Sequence, residues 1–287
     1  MSRIKFTADS VCDIPPHLLE GTEIQLFPFP IAMGDTEYLD GVDVTPDQFY
    51  QLLLDAPAIP THSQLTAFFF EEQFEEIWKQ GYDHLIHLSI NAKGSSTFQN
   101  AVQARDEFYE NHPEAKDTFQ IHLIDSGNYT MSYGWPLLQA DAMAKQGADV
   151  PEILDYIQDW VDHVRVVFTA LDLRFAKKSG RISAAAAFMG EALGLKPIMT
   201  FENGESKVLN KVRGEKAAIK ALADLCQSEH KSGTPYLVIR GNNAPQAEAL
   251  QAACVQALGE EPALTYPLGS IVSINCGPNA VGLVYRT

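Results

Sequence analysis

Residues 85–126 read LIHLSINAKGSSTFQNAVQARDEFYENHPEAKDTFQIHLIDS. An apolar, β-rich run (85–90) gives way to a Gly/Ser loop, then a helical pattern over 97–110, then a second β-rich run over 119–126. A strand, helix and strand in succession imply a right-handed crossover and parallel pairing. The same alternation extends toward the amino terminus through IKFTADS (4–10), EIQLFPFPIAM (23–33) and the helix PDQFYQLLL (46–54), with Thr45 as cap and Pro46 in its first turn. Thr66 opens AFFFEEQFEEIWKQG, and SYGWPLLQADAMAKQG and PEILDYIQDWVDHV read as two further helices. The expectation is an α/β fold whose first part is a mostly parallel sheet with helices on both faces.

From RVVFTALDL (165–173) the order changes. Helical pieces at Phe175–Lys178 and Ala184–Leu193 precede strands KPIMTF and SKVLN, a helix KAAIKALADLCQSE, strand YLVIRG and helix PQAEALQAACVQAL. Closing strands are expected at ALTYPL and SIVSIN. Two domains follow: residues 1–160, and a mixed-sheet α/β domain over 161–287.

The 287 residues carry a net charge of −16, unevenly spread. Residues 1–170 hold eight Lys and Arg against 27 Asp and Glu, whereas residues 171–213 hold eight against four. A cationic island in an acidic chain attracts a small anion rather than an extended polyanion, so nucleic acid is not an expected partner. A solvated helix face accounts for the same charges. No apolar run is long enough for a membrane span and MSRIKFTADS shows no signal-peptide core, so a cytoplasmic protein without stable membrane insertion is expected. Cys12, Cys226, Cys254 and Cys276 are widely spaced without CxxC or neighbouring histidines, which argues against structural zinc and a disulfide framework.

Several loops carry anion-binding chemistry. Lys93-Gly94-Ser95-Ser96-Thr97 enters a helix and offers hydroxyls, free N–H groups and the positive end of a helix dipole; a plain N-cap is the bland alternative. Thr61, His62 and Ser63 form a second polar loop, able to face the first across a crevice. Asp9–Ser10 and Asp125–Ser126 end two strands, where ligands collect in open parallel sheets. Arg181 in Gly180–Ser183 and Arg213 are candidate oxyanion contacts. Asn275, Cys276 and Gly277 lie in NCGPN, with Gly277 free to adopt unusual torsions and Cys276 read as a structural thiol. Phosphate-loop, zinc-protease, nucleophile-elbow and dinucleotide motifs are absent, so no catalytic residues and no metal or organic cofactor are assigned.

The ordered series TADSVCDIP, PTHSQLT, SINAKGSSTFQNA, LIDSGNYT, LDLRFAKKSGRIS, ALGLKPIMTFENGE, KVRG and CGPNAVG resembles the DegV family of bacterial fatty-acid-binding proteins from end to end. The resemblance implies a two-domain protein, not itself an enzyme, with a long-chain fatty acid in a tunnel between the domains. In some relatives the bound carboxylate is presented to a separate kinase that makes an acyl phosphate. Carried over by motif, Ser95 matches a carboxylate-binding serine and His62 stands at a carboxylate-binding threonine, flanked by Thr61 and Ser63. Ser96 and Thr97 complete the loop. Arg181 and Arg213 match arginines near the head group and the partner surface, Asn275 replaces a usual histidine, and Asn279 replaces a glycine. The competing expectations are a phosphotransferase or kinase subunit for a small hydroxylated ligand, and a lipid-responsive regulatory module.

Overall fold

The computed structural model describes residues 2–180 and 194–287. The first part of the chain runs β1 (Ile4–Asp9), β2 (Ile24–Phe27), β3 (Pro30–Met33), β4 (Thr36–Leu39), α1 (Pro46–Asp55), β5 (Thr61–His62) and α2 (Ala67–Lys79). It continues through β6 (His84–Ser89), α3 (Thr97–Asn111), β7 (Gln120–Asp125), α4 (Met131–Lys145) and α5 (Val150–His163). Strands β2-β1-β6-β7 form an all-parallel sheet in that order. The anticipated helix starts hold: Thr45 and Gln48 form a capping box with Pro46 at N1, and the Thr66 hydroxyl accepts from Phe69 N–H at 3.2 Å.

Alternation along each strand supplies the sheet with two buried faces. His87 and Thr7 face α2, where Phe70 meets His87 edge-on at 5.2 Å. The opposite face, with Ile4 and Phe6, is covered by α4, against which α5 packs. The expected single strand over 23–33 is instead two. Pro28 and Pro30 interrupt the ladder, because each lacks an N–H to donate. Strand β3 then leaves the parallel sheet and joins β4 and β5 in a small antiparallel one, with Ile31 paired to His62.

The second part comprises β8 (Val164–Thr169), α6 (Leu173–Ser179), β9 (Leu195–Glu202), β10 (Glu205–Arg213), α7 (Glu215–Glu229) and β11 (Tyr236–Arg240). It ends with α8 (Ala244–Leu258), β12 (Leu264–Pro267), α9 (Ser270–Cys276) and β13 (Val281–Arg286). Its six strands form one mixed sheet in the order β10-β9-β8-β13-β11-β12. SIVSIN, expected as a strand, is the helix α9. Its β-branched residues favour strands, yet Ile271 and Ile274 fall on one buried helical face and Gly269 supplies an extended N-cap. The closing strand is β13, and the expected helix over Ala184–Leu193 lies outside the described residues.

Helix α4 packs against β1, β2 and β6 and also against β8 and β13, so it is shared by the two large sheets. No residue from Met131 to Ala144 is exposed. One apolar core accordingly joins Phe6, Phe70 and Leu137 to Val166, Met199, Ile239 and Val284, while a second, smaller core packs α7 and α8 on the far face of the six-stranded sheet.

Candidate functional site

Strands β1 and β6 end side by side, and the loops that follow them form the site. The Asn91 backbone carbonyl accepts from Gly94 N–H at 3.0 Å and Ser95 N–H at 3.1 Å, folding the loop back on itself. Ser95 Oγ then accepts from Thr97 N–H at 3.3 Å and lies 2.9 Å from Thr97 Oγ1. Ser95 thus holds the first N–H of α3 from just outside the N-cap Ser96, and stands at the positive end of the helix. With Thr97 donating to Ser95 Oγ, the Ser95 proton is available to an anion.

Across the crevice, β5 places His62 and α9 places Asn275. The Asn275 amide Nδ2 donates to Ile271 O at 2.6 Å and lies 3.1 Å from His62 Nε2. Assigning the amide as donor makes His62 Nε2 the acceptor. His62, Gly94 and Ser95 line a polar recess of about 190 Å³, together with Gln64, Lys93 and Ser96. The same three residues and Asn275 also line an apolar cavity of about 40 Å³, walled by Phe29, Ile90, Tyr129, Phe201, Ile271 and Val272. A second apolar cavity of about 30 Å³ shares Tyr129, Phe201 and Val272 with the first and continues between the sheets to Phe168, Ile239 and Cys276.

Polar groups therefore stand at one end of a narrow, otherwise apolar path. This suits an amphipathic ligand with a small anionic head. A larger groove of about 430 Å³ lies by Arg3, Glu23 and Asp149. It opens at the amino-terminal ends of the strands, opposite the end where such sheets collect ligands. Its polar groups also satisfy one another, Tyr82 Oη donating to Glu23 at 2.6 Å.

Other anticipated residues are more scattered. Thr97 is fully buried behind Ser95, Ser96 is exposed at the recess, and Thr61 and Ser63 are exposed and outside the lining of either apolar cavity. Arg213 ends β10 on the surface, and Arg181 lies outside the described residues. Gly277 has φ 89°, and a Cβ there would approach the Phe175 ring to 3.0 Å. Burial pushes the Cys276 thiol up to about 12, which leaves it protonated and unsuited to nucleophilic attack. Among the described residues, no group of three or more His, Cys, Asp or Glu side chains is placed to hold a metal ion.

Sequence reasoning singled out neither Asn91 nor Tyr129 nor Phe201. Asn91 is almost wholly buried, and its Nδ2 donates to Tyr129 Oη at 3.0 Å and to Gly204 O at 2.7 Å. Gly94 makes room for the tyrosine, since a Cβ there would overlap the Tyr129 hydroxyl. A buried asparagine just past a strand end was the available signal. Its partners, 38 and 113 positions away, were not.

Beneath the crevice sit three buried carboxyls. Asp9 accepts from Ile90 N–H and Tyr133 Oη, both at 2.7 Å, and Asp40 accepts from Ser10 Oγ at 2.7 Å. Desolvation raises Asp9 and Asp40 each to about 6 and drives Asp13 well above the usual carboxylate range.

The DegV family model, described as an uncharacterised protein family, matches residues 3–287. A DegV domain-containing protein from Caldanaerobacter subterraneus subsp. tengcongensis is 31% identical, with 100% of this chain and 99% of that protein covered. Among solved structures, a fatty-acid-binding DegV family protein from Thermus thermophilus superposes with a TM-score of 0.88 at 26% identity, covering 99% of this chain and all of that one. DegV from Bacillus subtilis, also a fatty-acid-binding protein, shares the fold with a TM-score of 0.84 at 24% identity and 99% coverage of both chains. Two sheets joined through α4, and a family match that runs from Arg3 to the last residue, leave no part of the chain outside one assignment: it belongs to the DegV family.

Proposed function

We propose that this protein binds a long-chain fatty acid, holding the carboxylate at Ser95 and His62, with Asn275 orienting the His62 ring, and directing the chain into the two apolar cavities. The observation that carries this reading is their arrangement, with polar groups at one end and three shared apolar walls between them. The fatty-acid-binding relative at 26% identity supports it. Burial of about 16 carbons at roughly 0.8 kcal/mol per methylene supplies about 12 kcal/mol before the costs of association, so the head-group contacts need only orient the ligand. Native mass spectrometry of the purified protein, followed by lipid extraction, tests the proposal. A fatty-acid adduct is expected; its absence, together with no uptake of added palmitate or oleate, overturns it.

The finer role we propose is presentation of that carboxylate to a separate ATP-using kinase, in the cytoplasm, with Arg213 and Arg181 on the partner side and Gly277 holding the turn after Asn275. The polar recess outside Ser95 supports it, because it leaves the head group approachable. Acyl phosphate formed by such a kinase only in the presence of this protein is the expected result, and formation without it would sink the role. Thr61, Ser63, Ser96 and Thr97 belong to the proposed site as supports of its two loops. We also propose a division between domains near 160, in the last turn of α5, supported by strand pairings of the large sheets that never cross it. Separately expressed halves that reassemble and bind palmitate would bear this out, and halves that never associate would count against it.

A further inference from the structure

We propose that the Tyr129–Phe201 contact is a gate between the two apolar cavities and makes the protein discriminate acyl ligands by length, with Asn91 as the residue that holds it shut. This rests on the fatty-acid reading above. Tyr129 follows β7 and Phe201 lies near the end of β9, so the two rings come from different sheets and meet at 4.5 Å between centroids. Phe201 is backed by Phe168, stacked on it at 5.3 Å. Both gate residues line both cavities and, with Val272, form the wall between them.

The latch is a single buried amide. Asn91 Nδ2 donates to the Tyr129 hydroxyl on one side and to the Gly204 carbonyl on the other, while its Oδ1 accepts from Lys93 N–H at 3.0 Å. Gly204 lies at the tip of the β9–β10 hairpin, where Asn203 and Gly204 have φ of 50° and 74°, the two positive values that a tight two-residue hairpin requires. That tip is two to three residues from Phe201. Asn91 therefore ties the tyrosine, the hairpin carrying the phenylalanine, and the Ser95 loop to one point. An exposed ion pair between Lys93 and Glu205 at 3.7 Å spans the same seam and adds little.

A chain that ends within the first cavity, its carboxylate at Ser95, leaves the rings in contact. A longer chain must part them to reach Phe168 and Ile239. Each buried methylene raises affinity about fourfold, and that gain is interrupted at the length that meets the gate.

The test measures dissociation constants of octanoate, decanoate, laurate and palmitate for the wild-type protein, Phe201→Ala and the milder Phe201→Leu, with thermal melts confirming each fold. Truncation joins the two cavities. The palmitate-to-octanoate affinity ratio is expected to rise at least about fivefold in Phe201→Ala, with Phe201→Leu in between. If Phe201→Ala does not fold, the rise in Phe201→Leu decides. A folded variant whose ratio equals the wild-type ratio overturns the gate while leaving fatty-acid binding intact. Wild-type protein that takes up none of the four ligands overturns the binding reading itself, and the gate with it.

Discussion

Ser95 is the residue at which sequence and structure meet most directly. A serine in a Gly/Ser loop ahead of a helix has few things to do, and here it holds the first N–H of α3 while facing the crevice. Ser95→Ala is expected to weaken palmitate binding by about 1–3 kcal/mol, measured by calorimetric titration, because the carboxylate loses a donor in a desolvated place; unchanged affinity would remove Ser95 from the site. Asp40 offers a test through pH. Its carboxyl, raised by desolvation from 3.8 to about 6, binds a proton more tightly folded than unfolded. Its contribution to stability is thus complete below about pH 4 and lost as pH rises through about 6. Asp40→Asn fixes the uncharged form. Relative to wild type it should be more stable at about pH 7.5 than at about pH 4.5, by up to roughly 2 kcal/mol in urea unfolding. An equal difference at both pH values would show that the burial has no such effect. Asn91 was illegible beforehand because its importance lies in two partners that only the folded chain brings together.

At the level of elements, helices with a strong cap and apolar periodicity were legible, as α1 and α2 show. The elements around the site were less so, for identifiable reasons. Helix α9 is short and rich in Ile and Val, so composition spoke for a strand and only packing decided otherwise. Strand β5 is two residues long and exists because β3 offers it an edge, a pairing that no local pattern encodes. These two misread pieces carry Asn275 and His62, so both residues were legible as candidates while the elements that present them to the crevice were not. Helix α1 is fastened to the second sheet by Tyr50, whose hydroxyl donates to Leu268 O at 2.6 Å and approaches Arg240 O at 3.3 Å. Tyr50→Phe should lower stability by about 1–2 kcal/mol, seen as a reduced urea midpoint at unchanged slope. No change in midpoint would mean that water replaces the bond.

For the molecule as a whole, the alternation of strands and helices announced two α/β units, but not that they share a core. Phe6 and Leu137 belong to the same apolar cluster as Ile239 and Val284. Heating should therefore give one calorimetric transition with matching van't Hoff and measured enthalpies, moved upward as a unit by bound palmitate. Two resolved transitions would show that the sheets unfold separately. Helix α4 carries this coupling, and its burial has an evolutionary side. An ordinary surface helix drifts freely along its solvent stripe, changing a residue every turn at little cost. From Met131 to Ala144 that stripe shrinks to the half-buried Trp135, Leu138, Gln139, Ala142, Met143 and Ala144, so α4 has one narrow side on which to vary, and descendants of this protein are held to its sequence around the rest of the helix.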